Sequence, residues 1–330
     1  MACLLKPLAN SKLKLNNRLV LPPMATAKCG EDGIVTQEIL DYYDEKSKGG
    51  YISLIIIEHS FIEEQGKAHN GQLSIANDNV IEGLKKLSNI IHKNGSKAIM
   101  QINHAGSLTK NAVTGCGIVG PSAIMHPRNN EMPNELTKDD IRRVVLKFRE
   151  AARRVKNAGF DGVEIHSAHG YLLNEFYSPI TNKRKDEYGG DVFGRIKLHL
   201  EIITAIREEV GEDFPILLRL GACDYAEGGN IIDDCKNAVI EFQKAGVDII
   251  DISGGLLGYI IPGVKSQGYF SEVTEELKKN VSIPVILTGG ITEAEAAEKL
   301  LESDKADLIG VGRAILKDSL WAKKAVESLK

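Results

Sequence analysis

Eight times along this 330-residue chain, a short and almost wholly apolar run is followed by a segment with helical periodicity. The runs are residues 19–21, 53–57, 98–102, 162–165, 216–220, 247–252, 285–288 and 307–311. Their β-branched, near-continuous apolar character is that of parallel strands covered on both faces. Between them the helices have recognisable starts and stops. Thr36 precedes 37–48, Asp78 precedes 80–93, and Asn94-Gly95 ends the latter. Thr137-Lys138-Asp139-Asp140 opens a long amphipathic run to Asn157, closed by Gly159. Further helices fit 193–210, 231–245, 271–280, 292–302 and 319–329. Eight strand–helix units predict an α/β fold, a single (β/α)8 TIM barrel, over a doubly wound sheet. Residues 4–16 alternate weakly and predict an N-terminal hairpin or cap. The long connections 58–77 and 101–134 follow strands two and three, on the face where such barrels carry their chemistry.

Composition narrows the function classes. Charged residues make up 26% of the chain, with a formal net charge of −4, which argues against a sequence-independent nucleic-acid surface. No apolar stretch approaches a membrane span. The five cysteines are scattered and none forms a C-x-x-C pair, so no disulfide framework, zinc site or iron–sulfur cluster is expected. The expectation is one domain over 1–330, cytoplasmic, with a small-molecule partner and a homo-oligomer left open.

The chemistry gathers at Asp161-Gly162-Val163-Glu164-Ile165-His166-Ser167-Ala168-His169-Gly170-Tyr171. A short strand delivers two imidazoles and a phenol just past its end, and Gly170 permits a sharp turn between them. These side chains can hydrogen-bond a substrate oxygen and carry a proton near neutral pH. A metal pair or two buried structural histidines are the alternatives. In a barrel, the same rim holds Pro23-Met24-Ala25-Thr26, Glu58-His59, Gln101, His104, Arg219, Ser253-Gly254-Gly255, Gly289-Gly290 and Gly312-Arg313. The last two pairs end strands seven and eight, a common phosphate position; tight turns and a surface ion pair are the plainer reading. Gln101 is as readily structural as ligand-binding. Arg219 interrupts an apolar strand and calls for an anionic partner, either Glu58 or a bound anionic ring. Cys29 is read as a small buried residue rather than a reactive thiol.

The run His166 to Phe176, with Ser178-Pro179, Asn182-Lys183-Arg184, Asp186-Glu187-Tyr188-Gly189-Gly190 and Arg195, resembles the old yellow enzyme family. Asn17 to Met24, Gln101 to Gly106 and Asp307 to Arg313 resemble its first, third and last strands. The resemblance implies an FMN-dependent NAD(P)H oxidoreductase, an ene-reductase acting on α,β-unsaturated carbonyl compounds such as enones and enals. It implies non-covalent FMN, with NADPH or NADH as electron donor. Pro23, Met24, Ala25 and the His59 backbone would lie beside the flavin, Gln101 at its pyrimidine edge and Arg219 at N1 and O2. Gly289, Gly290, Gly312 and Arg313 would hold the phosphate. His166 and His169 would bind the substrate carbonyl, flavin N5 would deliver hydride, and Tyr171 would protonate the α-carbon. Two positions depart from the pattern: Ala25 stands where members commonly carry Cys or Thr, and Ala27 where some carry Tyr. Longer relatives append an iron–sulfur and a second flavin domain. This chain has no such cysteine cluster, so direct reduction by NAD(P)H is expected.

Overall fold

Eight parallel strands close into a barrel in the computed structural model, whose described residues are 1–9 and 12–330. They are β1 (Leu19–Leu21), β2 (Leu54–Phe61), β3 (Lys97–Asn103), β4 (Gly162–Ser167), β5 (Ile216–Gly221), β6 (Ile249–Ser253), β7 (Val285–Thr288) and β8 (Leu308–Gly310). Each pairs with its neighbours in chain order, and β8 closes on β1 through Leu19–Ile309 and Val20–Gly310. The principal helices are α1 (Gln37–Ser47), α2 (Ile81–Lys93), α3 (Lys138–Asn157), α4 (Lys197–Val210), α5 (Ile232–Ala245), α6 (Ser271–Lys278), α7 (Ala294–Glu302) and α8 (Trp321–Ser328). The (β/α)8 expectation holds.

Local chemistry explains most of the boundaries. Thr36 caps α1 by accepting from the Ile39 N–H, and Thr137 with Asp140 forms a reciprocal capping box at α3. The expected start at Asp78 differs in detail. Asn77 caps a single 3-10 turn, Asp78–Val80, before α2 proper begins. The expected helix 193–210 is divided, because Asp191 caps a separate turn at Val192–Arg195 ahead of α4. Strand β2 runs four residues past its predicted end and contains a bulge between Ile57 and Ser60.

Strand side chains alternate between the helices outside and the barrel interior. The lower interior layer is apolar: Val20, Leu54, Ile56, Ile99, Leu217, Ile249, Ile286 and Leu308. Leu8, Leu13 and Leu15 join this layer, and Leu8 and Leu15 exchange backbone hydrogen bonds of 2.9 and 3.1 Å. The N-terminal segment therefore plugs the lower end of the barrel. Residues 10 and 11 of the expected hairpin lie outside the described residues. At Gly162 a Cβ would meet Ile99 Cδ1 at 2.6 Å, so the interior there is filled from β3.

Two residues further along the strands the interior turns polar, with Gln101, Glu164, Arg219, Asp251 and Thr288. Above them are the loops that follow the strands. Those after β2 and β3 are long, as expected, and the second carries a pair of short strands, Val119–Gly120 and Asn134–Glu135. Long connections also follow β4 and β6.

Candidate active site

The loop leaving β4 makes two consecutive left-handed residues, His169 (φ 63°) and Gly170 (φ 81°). Glycine is required at 170, since a Cβ would come within 2.5 Å of His126 Nε2 and 2.8 Å of the Leu256 carbonyl. A left-handed histidine is strained, of the order of 1–3 kcal/mol, and must be held by its surroundings. Three contacts do so. The His169 N–H donates to Gly254 O (3.1 Å), Arg128 Nη1 donates to His169 O (3.0 Å), and the Gly170 N–H donates to Asn174 Oδ1 (2.8 Å). The result brings the three expected rings together. His166 lies 5.0 Å from His169 and 5.1 Å from Tyr171 between centroids, edge to face in both cases.

Burial decides the protonation of these groups. It pushes the imidazoles of both His166 and His169 well below the ordinary value of 6.5. Neighbouring His169, His59 and Arg219 add to the effect at His166; Arg219, His59 and Arg128 add to it at His169. Both rings are therefore neutral near pH 7. Burial raises the Tyr171 phenol to about 12, which keeps its proton in place. His169 Nε2 lies 2.7 Å from Ser253 Oγ, while His166 Nδ1 is sealed without a partner.

Below the rings, Gln101 Nε2 donates to Glu164 Oε1 at 2.8 Å, and Gln101 Oε1 is left without a partner. The partner of Arg219 is Asp251 rather than Glu58, because Arg219 and Asp251 are register neighbours on β5 and β6. Their 3.1 Å approach is too bent to count as a hydrogen bond, so Arg219 Nε and Asp251 Oδ2 keep open valences. Burial, and then the Asp251 charge, push Glu164 above the ordinary carboxylate range. Glu58 instead accepts from the Thr26 N–H (3.3 Å), beside Tyr43, and burial raises it to about 7.

The segment after β1 has Pro23 and Met24 half-buried and the Ala25 side chain exposed. At the ends of β7 and β8, Gly290 is left-handed (φ 67°), and a Cβ on Gly289 or Gly290 would press on the Tyr269 ring at 3.0 or 2.8 Å. A Cβ on Gly312 would meet Met24 Sδ at 2.8 Å, so β1 and β8 converge at this rim. Arg313 is exposed and 3.5 Å from Tyr269 Oη, with no carboxylate in ion-pair range among the described residues. His104 does not join the ring cluster; it is buried with Nε2 3.4 Å from Glu63 Oε1. Burial, with Glu58 and Asp32 nearby, pushes the Cys29 thiol up, against a reactive thiolate. Among the described residues no three His, Cys, Asp or Glu side chains converge as metal ligands, and no helix is long and apolar enough to cross a membrane.

Several residues of the site escape sequence reading. Asp251 and Glu164 interrupt apolar strands as Arg219 does, and their charge was the available signal. Arg128 and Tyr259, the last 6.0 Å from His169, come from other loops and carry no local signal. The His59 side chain also faces the rings, 5.2 Å from Tyr171 and 6.1 Å from His166.

Comparison with known proteins adds three likenesses and one family. The family model described as "NADH:flavin oxidoreductase / NADH oxidase family" matches residues 3–330. An NADH oxidase of Thermoanaerobacter brockii is 41% identical over 321 residues, covering 96% of this chain but 49% of that protein. An NADPH dehydrogenase of Listeria monocytogenes is 40% identical over 316 residues, covering 96% of this chain and 91% of that one. The structure of an old yellow enzyme homologue from Zymomonas mobilis superposes with a TM-score of 0.86 at 25% identity, over 98% of this chain and 92% of that one.

Proposed function

The chain belongs to the NADH:flavin oxidoreductase / NADH oxidase family, that of the old yellow enzymes, and from that premise we infer an ene-reductase. In this reading residues 1–330 form one FMN-binding barrel that reduces the C=C bond of α,β-unsaturated carbonyl compounds, with NADPH or NADH as donor. The observation that carries it is the convergence of His166, His169 and Tyr171, two neutral imidazoles and a protonated phenol, on one mouth.

The residues of that mouth fit FMN. Gln101 Oε1 and Arg219 Nε are sealed polar atoms without partners, an acceptor and a charged donor suited to the polar edge of a flavin ring. Arg313, free of carboxylates among the described residues, stands beside the left-handed Gly290 turn, where a phosphate would be held by charge and backbone. Pro23, Met24, Ala25 and the His59 backbone would flank the ring, with Gly289 and Gly312 completing the phosphate end. FMN, when bound, supplies a two-electron store that accepts hydride from NAD(P)H and yields it to the β-carbon of the substrate.

The protein's own groups do the rest. Neutral His166 and His169 donate to the carbonyl oxygen of the substrate and polarise the conjugated alkene without placing a net cation there. Tyr171, raised by burial to about 12, keeps its phenol proton near neutral pH and gives it to the α-carbon as the enolate forms. Asp251, 3.1 Å from Arg219, offsets part of that residue's charge within the wall.

The test is the visible spectrum of the purified protein, followed by titration with phenol. The expected result is bound flavin and a long-wavelength charge-transfer band with phenolate, weakened with a raised dissociation constant in both His166→Ala and His169→Ala. A colourless protein that FMN does not reconstitute contradicts the reading.

A further inference from the structure

The bulge in β2 changes which way His59 faces. Leu54 and Ile56 point into the barrel, so regular alternation would send Glu58 inward and His59 outward. The register shift between Ile57 and Ser60 reverses that parity, as bulges next to functional sites do. Glu58 is turned towards Thr26 and Tyr43, while the His59 ring enters the mouth beside Tyr171 and His166.

The hydrogen bonds around His59 fix its tautomer. Gln72 Oε1 accepts from the Ala68 N–H at 2.6 Å, which can only donate. Gln72 Nε2 lies 3.1 Å from the His59 carbonyl, which can only accept. The amide orientation is therefore set at both ends, and the same Nε2 donates to His59 Nδ1 at 2.9 Å. Asn103 Nδ2 also lies 3.3 Å from Nδ1. With Nδ1 an acceptor, the neutral ring carries its proton on Nε2. Burial, with His69 and Arg219, lowers this imidazole to about 3, so it stays neutral. No described residue accepts from Nε2, and unlike His166 Nδ1 that atom is not sealed from solvent.

Position then says what the donor meets. His169 leans towards β6, on Ser253 and Tyr259, whereas His59 stands on β2 at the opposite flank of His166. The His59 ring contacts those of His166 and Tyr171 but not that of His169. Resting on the ene-reductase reading above, we propose that the His59 side chain is a third substrate donor, giving its Nε2–H to a second oxygen. The site then favours unsaturated compounds with two acceptor oxygens, such as an imide or a dione, over a lone enone.

Two measurements on the flavin-loaded protein test this. The first is nitrogen-15 histidine spectroscopy, with the His59 signals identified by their loss in His59→Gln. The expected result is a neutral ring protonated on Nε2 from pH 5.5 to 8, whose Nε2 signal moves when N-methylsuccinimide is added. The second compares kcat/KM for N-methylmaleimide and 2-cyclopentenone. His59→Phe fills the space without a donor and should lower the maleimide value about tenfold more than the cyclopentenone value, the equivalent of about 1.4 kcal/mol. His59→Gln, which keeps an N–H, should restore part of that ratio. A proton on Nδ1, or equal losses for both substrates, overturns the proposal. If the wild-type protein reduces neither compound, the ene-reductase reading fails, and the succinimide response alone decides whether His59 binds a second oxygen.

Discussion

The two ends of the barrel interior are built by the same strands and differ in almost everything else. At the lower end Ile99, Leu217 and Ile249 pack with Leu8, Leu13 and Leu15, with hardly a polar atom among them. One step of two residues, about 7 Å along a strand, replaces them with Gln101, Arg219 and Asp251, several of whose polar atoms lack partners. Burying unpaired polar groups costs stability, whereas burying the apolar layer supplies it. The lower layer therefore anchors the fold, and the upper layer is free to be arranged for chemistry.

The largest effect that should separate the two ends is catalytic. Tyr171→Phe is expected to leave FMN binding and reduction by NAD(P)H near normal, while slowing reoxidation by cyclohexenone about 10²–10⁴-fold, the usual worth of a placed general acid. Stopped-flow absorbance separates the steps, and equal slowing of both would assign Tyr171 a packing role instead. At the other end Leu217→Ala should cost about 2–5 kcal/mol of unfolding free energy by leaving a cavity, with enone turnover per folded molecule retained. Denaturant unfolding measures it. Loss of turnover without loss of stability would erase the distinction between the ends.

Smaller effects sharpen it. Arg313→Ala should weaken FMN retention by about 1.5–3 kcal/mol, the range for a charge-assisted hydrogen bond, as read by flavin release on dilution. The pH profile of stability carries the signature of the upper end. His59 and His199, lowered by burial to about 3, contribute stability that is present above the ordinary 6.5 and lost as pH falls. Glu58 and Glu175, raised by burial to about 7 and about 8, act the other way: their protonated forms favour the fold, and that favour is lost as pH rises through those values. Thermal midpoints should therefore decline from about pH 6.5 to 8, where the histidines are neutral in both states and only the raised carboxyls still differ between them. A flat profile above pH 6.5 would mean these carboxyls are ionised in the folded protein.

What could be read from the sequence follows the same division. The barrel was legible because burial on both faces forces apolar runs, and the eight strands lie where those runs do. His166, His169 and Tyr171 were legible because they sit within six residues on one strand end. Arg219 was visible as a charge in an apolar strand, but its partner was not, because register between β5 and β6 is a property of the closed barrel. For His59 the sequence places the residue on the rim but not its side chain. A bulge depends on how β2 pairs with β3 and leaves no mark in the alternation of 53–57, so the direction of the side chain beyond it could not be read. Gln72 and Asn103, which fix its tautomer, are ordinary polar residues until the fold brings them to it.

The central claim is that one mouth runs two half-reactions, and anaerobic stopped-flow of the flavin-loaded wild-type protein tests it most directly. NADPH or NADH should bleach the visible flavin absorbance, and 2-cyclohexenone or N-methylmaleimide should then restore it with one saturated product per flavin. A flavin that is bleached but recovers only with oxygen, whichever unsaturated carbonyl compound is offered, would contradict the account.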